Sequence, residues 1–108
     1  MTDTKIHVGD VGTSFLLTIV DKNGTVIDIS SALSKFIYFQ KPKGAILKKD
    51  AVFVTDGKDG EIQYLSVTGD IDEVGTWYMQ GYVETSLGKY SASAVSFRVE
   101  QALAVGRI

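Results

Sequence analysis

The residues able to do chemistry in this sequence are few and scattered. Asp56, Asp59 and Glu61 stand close together around Gly57 and Gly60, an oxygen-rich run of the kind that hard cations need. A helix-loop-helix calcium site requires oxygen ligands at alternate loop positions and a bidentate Glu at the end of the loop, and neither is present. Asp70, Asp72 and Glu73 form a second acidic group. Carboxylates so placed commonly bond the backbone N–H groups of their own loops. His7 is the one histidine. No short motif joins it to the hydroxyls of Ser14, Ser30, Ser31, Ser34 or Ser66, and the G-x-S-x-G elbow is absent. A glycosidase needs two carboxylates across a cleft, and 108 residues leave little chain to wall one. With no cysteine there are no disulfides, thiolate nucleophiles or Cys-type zinc sites. These residues point to a chain that is not an enzyme, with no catalytic residue, no metal and no cofactor.

What remains is recognition. Lys35, Lys41, Lys43, Lys48 and Lys49 gather around one expected hairpin, where lysines more readily guard a sheet edge than bind an anion. The net charge of −2 gives no long-range pull on nucleic acid and no polybasic face for lipid. No apolar run approaches the ~20 residues that cross a bilayer, and Met1–Lys5 do not begin a secretory signal. No nucleic-acid partner and no membrane insertion are therefore expected. Tyr38, Tyr64, Tyr78, Tyr82 and Tyr90 are the best recognition residues if their rings lie on outer sheet faces, because tyrosine buries area at low entropic cost and tolerates a wet site. Tyr78 and Tyr82 head the candidate interface. A carbohydrate-binding or adhesin-like module is the alternative use of such rings.

These side chains must be positioned by strands. From Gly75 to Val83, Trp77, Met79, Gly81 and Val83 alternate with Tyr78, Gln80 and Tyr82, the two-residue period of a half-buried strand with the Trp face inward. The acidic residue, glycine and aromatic at its start suggest an aromatic pinning the corner into the sixth strand of an immunoglobulin-type sandwich. Phe15, Leu17 and Ile19 alternate with Leu16, Thr18 and Val20, apolar on both sides, as in an interior strand. Asn23-Gly24 supplies the positive φ angles of a tight hairpin, returning Val26 and Ile27. Asp28–Ser34 reads as one turn of helix or an irregular corner crossing between sheets. Phe36–Gln40 is a strong strand ending at Pro42-Lys43-Gly44. Ile62 and Tyr64 share a face, and Tyr90–Val99 is read as one strand with Val95, Phe97 and Val99 inward. No stretch carries a helical spacing. The expectation is an all-β antiparallel sandwich of seven to nine strands, one domain over residues 1–108, with Phe15, Leu17, Ile19, Trp77, Met79, Val83 and Phe97 in the core. The last residues, 101–108, form a short apolar tail in which Ala102, Leu103, Val105 and Ile108 have no partner in this pattern.

Five blocks in order, Phe15–Gly24, Ile27–Ser30, Phe39–Gly44, Thr55–Tyr64 and Gly75–Gly81, resemble the N-terminal domain of phage baseplate upper proteins. Lys43 stands between Pro42 and Gly44 where that family usually has Asp, and the long stalk that usually follows is not in the sequence. The resemblance implies an immunoglobulin-like sandwich that is a structural part of a virion tail or baseplate. It also implies synthesis in the host cytoplasm, docking on other tail or baseplate proteins, and assembly as a homo-oligomer, a trimer or a ring.

Overall fold

The structure, a computed structural model, describes residues 6–92 and 94–101. The expectations for Met1–Lys5 and for Ala102, Leu103, Val105 and Ile108 lie outside the described residues. Nine strands are present among them: β1 (Ile6–His7), β2 (Ser14–Thr18), β3 (Ser34–Gln40), β4 (Ile46–Asp50), β5 (Val52–Phe53), β6 (Glu61–Leu65), β7 (Gly75–Glu84), β8 (Lys89–Ser91) and β9 (Val95–Glu100). The large sheet runs β1-β9-β7-β3-β4, with β8 also on β7, and the small sheet runs β2-β6-β5. All pairs are antiparallel except β1 with β9. The fold is an all-β, immunoglobulin-like sandwich, in which β7 occupies the sixth-strand position between β3 and β9.

The two-residue period of β7 becomes packing directly. Trp77, Met79, Gly81 and Val83 are all buried, and they meet Phe15, Leu17, Ile19 and Ile62 from the small sheet in one core cluster. Phe97 is half-buried against the same cluster. A side chain at Gly81 would meet Ile62 and Leu17 at 3.1 Å, so the absence of one lets the sheets close over the middle of β7. The corner reading of Trp77 has a physical basis, since its Nε1–H donates to the carbonyl of Glu73 at 3.0 Å, four residues upstream. Below that corner the Pro42 ring lies against Gly75, whose φ of 134° suits glycine.

Four expectations are corrected. First, among the described residues β2 is not interior but one of the two outer strands of the small sheet, and Leu16 on its outward side is exposed; apolar character on both faces does not by itself mean pairing on both edges. Second, the Asn23-Gly24 hairpin forms, with Val20 bridged to Val26, but only Gly24 has positive φ. Gly24 donates to the Asp21 carbonyl and Asp21 N–H to Thr25, a longer loop closed by one left-handed glycine rather than a two-residue turn. Lys41–Ala45 uses the same bonds with Gly44 at φ 100°. Third, the strand expected over Tyr90–Val99 is broken into β8 and β9, both lying along the same side of β7. Fourth, Val95 is on the inward parity but exposed, because it lies at the end of β9 nearest the break. Of the two readings of Asp28–Ser34, the structure has the irregular corner and no helical turn, and it carries the chain to the large sheet.

Candidate functional site

The acidic groups are held by their own surroundings. Asp56 accepts from Lys58 N–H, and Asp59 accepts from Glu61 N–H and the Thr55 hydroxyl, so the calcium-like run is a set of self-bonded turns. Among the described residues no cluster of three metal-ligating side chains is found. The hydroxyls of Ser14, Ser30 and Ser66 bond Gln63, Asp28 and the Thr13 N–H respectively. His7 lies on β1, where its N–H donates to Asp10.

The second acidic group latches the sandwich. Asp70 accepts from the Tyr64 hydroxyl and, at 2.9 Å, from Val67 N–H, and pairs with Lys49 at 3.0 Å. Lys49 comes from the large sheet and Tyr64 from the small one, so this triad ties the two. Burial pushes the Tyr64 phenol up to about 12, helped by the bond to Asp70 and by its charge. Burial would raise Asp70 as well, but the Tyr64, Val67 and Lys49 contacts outweigh it and hold the carboxyl below its ordinary value. Asp72 takes Lys41 at 2.9 Å. The lysines are dispersed rather than pooled: Lys35 sits 4.5 Å over Phe53, Lys41 5.9 Å over Trp77, and Lys48 4.2 Å over Phe36. Lys48 and Lys49 belong to β4, the outer strand of the large sheet, where charge guards an edge.

The outer face of the large sheet is where recognition residues converge. Strand register places Ile46, Gln40, Tyr78 and Ser96 in one row, Lys48, Tyr38 and Gln80 in the next, and Asp50, Phe36, Tyr82 and Ser91 in a third. Ile46 is 60% exposed, Tyr78 49% and Tyr38 39%. Phe36 stacks on Tyr82 at 5.0 Å and meets the edge of Tyr38 at 5.1 Å, holding the Tyr38 ring from its side. Gln80 is fixed by its amide, which donates to the Ala92 carbonyl at 2.9 Å. A shallow open depression lies between Tyr38, Gln40, Ile46, Tyr78 and Gln80. Of the five expected tyrosines, Tyr38 and Tyr78 are exposed here and Tyr82 is half-buried, stacked on its cross-strand neighbour Phe36. Tyr64 and Tyr90 instead pack against the core. Sequence reasoning did not single out Phe36 and Ile46 for this face; the signal was their phase with Tyr38 and Lys48.

A sequence profile for the family described as BppU N-terminal domain, where BppU is the baseplate upper protein, matches residues 1–108. The chain belongs to the BppU N-terminal domain family. That family is one of phage baseplate structural domains, and it carries this member to the virion tail and into contact with other virion proteins. Among solved structures, the crystal structure of CopC from Methylosinus trichosporium OB3b is similar with a TM-score of 0.55 at 17% identity, covering 95% of this chain and 90% of that one. Identity so low speaks for the fold alone. No curated protein sequence matches the chain. In this BppU N-terminal domain the outer sheet face gathers exposed Tyr38, Ile46 and Tyr78, whereas the acidic loops are bonded within themselves.

Proposed function

We propose that this chain is a non-enzymatic, one-domain structural component of a tailed-phage baseplate that attaches to neighbouring virion proteins through the outer face of its large sheet. The observation that carries the reading is the placement of Ile46, Tyr38 and Tyr78 together and exposed on one face, flanked on that face by the Phe36–Tyr82 stack against which Tyr38 packs. Aromatic anchors on a fixed platform with a polar surround, here Gln40, Gln80, Lys48 and Asp50, have the make-up of a protein-binding hot spot. The chain acts as a homo-oligomer, a trimer or a ring, with Ala102, Leu103, Val105 and Ile108 contributing to the contact between copies, and it docks receptor-binding components. It is made in the host cytoplasm before incorporation.

The test is capture of the chain by the other baseplate proteins of its particle, comparing wild type with Tyr38→Ser/Tyr78→Ser. Both rings are exposed, so the fold should persist, and loss of a hot spot worth ~2 kcal/mol would weaken capture by about 30-fold. Unchanged capture would move the docking surface elsewhere. The depression beside Tyr78, flanked by Gln40 and Gln80, favours one second reading, in which the rings stack on a sugar. Saccharide binding in the millimolar range that Tyr78→Ser abolishes, with capture unaffected, would favour that reading instead.

A further inference from the structure

Most of the outer strands of this sandwich are blunted against pairing with another chain. Strands β1 and β5 are two residues each, β8 is three and begins with Lys89, and β4 carries Lys48, Lys49 and Asp50. Short length and charge are the usual devices that keep an edge from recruiting a strand. Strand β2 has neither. It is five residues long, Ser14-Phe15-Leu16-Leu17-Thr18, with no charge and no proline, and among the described residues only β6 pairs with it.

The orientation of its backbone follows from the bonds that flank it. Thr13 accepts from Ser66 N–H and Ile19 donates to the Gly60 carbonyl, so the odd-numbered residues of this segment turn their N–H and C=O groups toward β6. In an antiparallel ladder these directions alternate. Ser14, Leu16 and Thr18 therefore aim theirs away from the sheet. Leu16 is also on the outward side of the small sheet, 47% exposed, in one row with Gln63 and Val52, while Leu65 pairs with Ser14. Leu16, Val52 and Leu65 are all exposed, an aliphatic stripe leading up to an open edge.

The segment is close to a palindrome about Leu16: a small hydroxyl residue at each end, Phe15 and Leu17 inside them, and Leu16 at the centre. We propose that β2 is a two-fold pairing edge for a second copy of this chain, joining the two small sheets into one continuous sheet with Leu16 opposite Leu16. In that register Ser14 faces Thr18 of the second copy, and the three outward-aimed residues form hydrogen-bonded pairs, about six inter-chain bonds in all. The Leu16 side chains meet on the outer face and extend the aliphatic stripe of each copy, while Phe15 and Leu17 stay in their own cores. Like charges are absent from the facing strands, so nothing opposes the approach. A two-fold contact brings the strand against itself, and the near-palindrome makes the pairs it forms matched ones, hydroxyl against hydroxyl at both ends and Leu against Leu at the centre. The small sheet lies opposite the large sheet, so this pairing does not depend on what the large sheet docks on. It links a copy in one assembly to a copy in the next.

An edge this short buries less than the ~1,200 Å² typical of stable complexes, so association is weak, with Kd between roughly 10 µM and 1 mM. Sedimentation equilibrium of the full chain over that range is the test. Whatever assembly the chain starts from, its mass is expected to double with concentration. Leu16→Lys and Leu16→Glu, at an exposed position, are each expected to keep the wild-type melting temperature within a few degrees and to lose the doubling. An equimolar mixture of the two is expected to regain it, because the two-fold axis sets Lys against Glu. No doubling of the wild type up to about 1 mM, as when residues 1–5 or another protein's strand cover the edge, would overturn the proposal. So would doubling that survives both substitutions, or a mixture that fails to recover.

Discussion

Replacing Trp77 by Ala tests the core and the corner of β7 together. The indole is 2% exposed, stacks on Phe97 with centroids 5.8 Å apart, and donates to the Glu73 carbonyl at 3.0 Å. Truncating a buried aromatic costs about 3 to 5 kcal/mol through lost transfer energy and the cavity left behind. The indole packs in the same core cluster as Phe15, Phe39 and Met79, so its removal takes contacts from both sheets. Trp77→Phe keeps most of the packing and removes the hydrogen bond, and should cost about 1 to 2 kcal/mol. A domain of ordinary stability has only ~5 to 15 kcal/mol in total. Trp77 is the one tryptophan, so denaturant unfolding is best followed by far-ultraviolet circular dichroism. A loss under about 1 kcal/mol for Trp77→Ala would mean that the indole does not hold the two sheets together, and the packing account of β7 would fail with it.

Gly24→Val should destabilise by about 1 to 2 kcal/mol, since Gly24 has φ 84° and a β-branched residue is strained there, whereas Lys22→Ala should stay within about 0.5 kcal/mol; equal melting temperatures would contradict the turn. The Tyr64–Asp70–Lys49 latch should shape both limbs of the pH–stability curve. Asp70 has its carboxyl held below the ordinary 3.8, so the folded state binds fewer protons near that pH, and its contribution is present above about pH 4 and lost as pH falls through the folded value. Asp70→Asn should flatten that acid limb. Tyr64 is raised from 10.0 to about 12, so its contribution is present below pH 10 and lost as pH rises from 10 to about 12, and Tyr64→Phe should remove that alkaline loss. Melts across pH that match wild type at both ends would mean the latch contributes nothing.

Much of the large sheet was legible because its strands obey a two-residue period against a covered face. Trp77, Met79 and Val83 announce their side of β7 by alternation, and the Gly75–Trp77 spacing announces the corner. Parity says which face a residue occupies, not whether the opposite sheet reaches that far, which is why Val95 reads as core and is exposed. Nor does a hydrophobic strand announce its neighbours: β2 reads as interior from Leu16 and Val20, yet among the described residues only β6 pairs with it. Tyr64 reads both as a member of an outer tyrosine band and as a companion of Ile62, and the phase with Ile62 is the sounder signal, since the ring packs against the core. The Lys49–Asp70 and Lys41–Asp72 pairs join positions far apart in sequence and leave no local trace. The recognition face was half visible, since Tyr38 and Tyr78 stood out by type while Phe36 and Ile46 joined them only through the register of β3, β4 and β7.

Cryo-electron microscopy of the source phage particle tests the central claim most directly. The account predicts this sandwich within the baseplate, with Ile46, Tyr38 and Tyr78 of the large sheet buried against a neighbouring virion protein. A chain found in the baseplate with that face open to solvent, or no density for the chain anywhere in the particle, would contradict it.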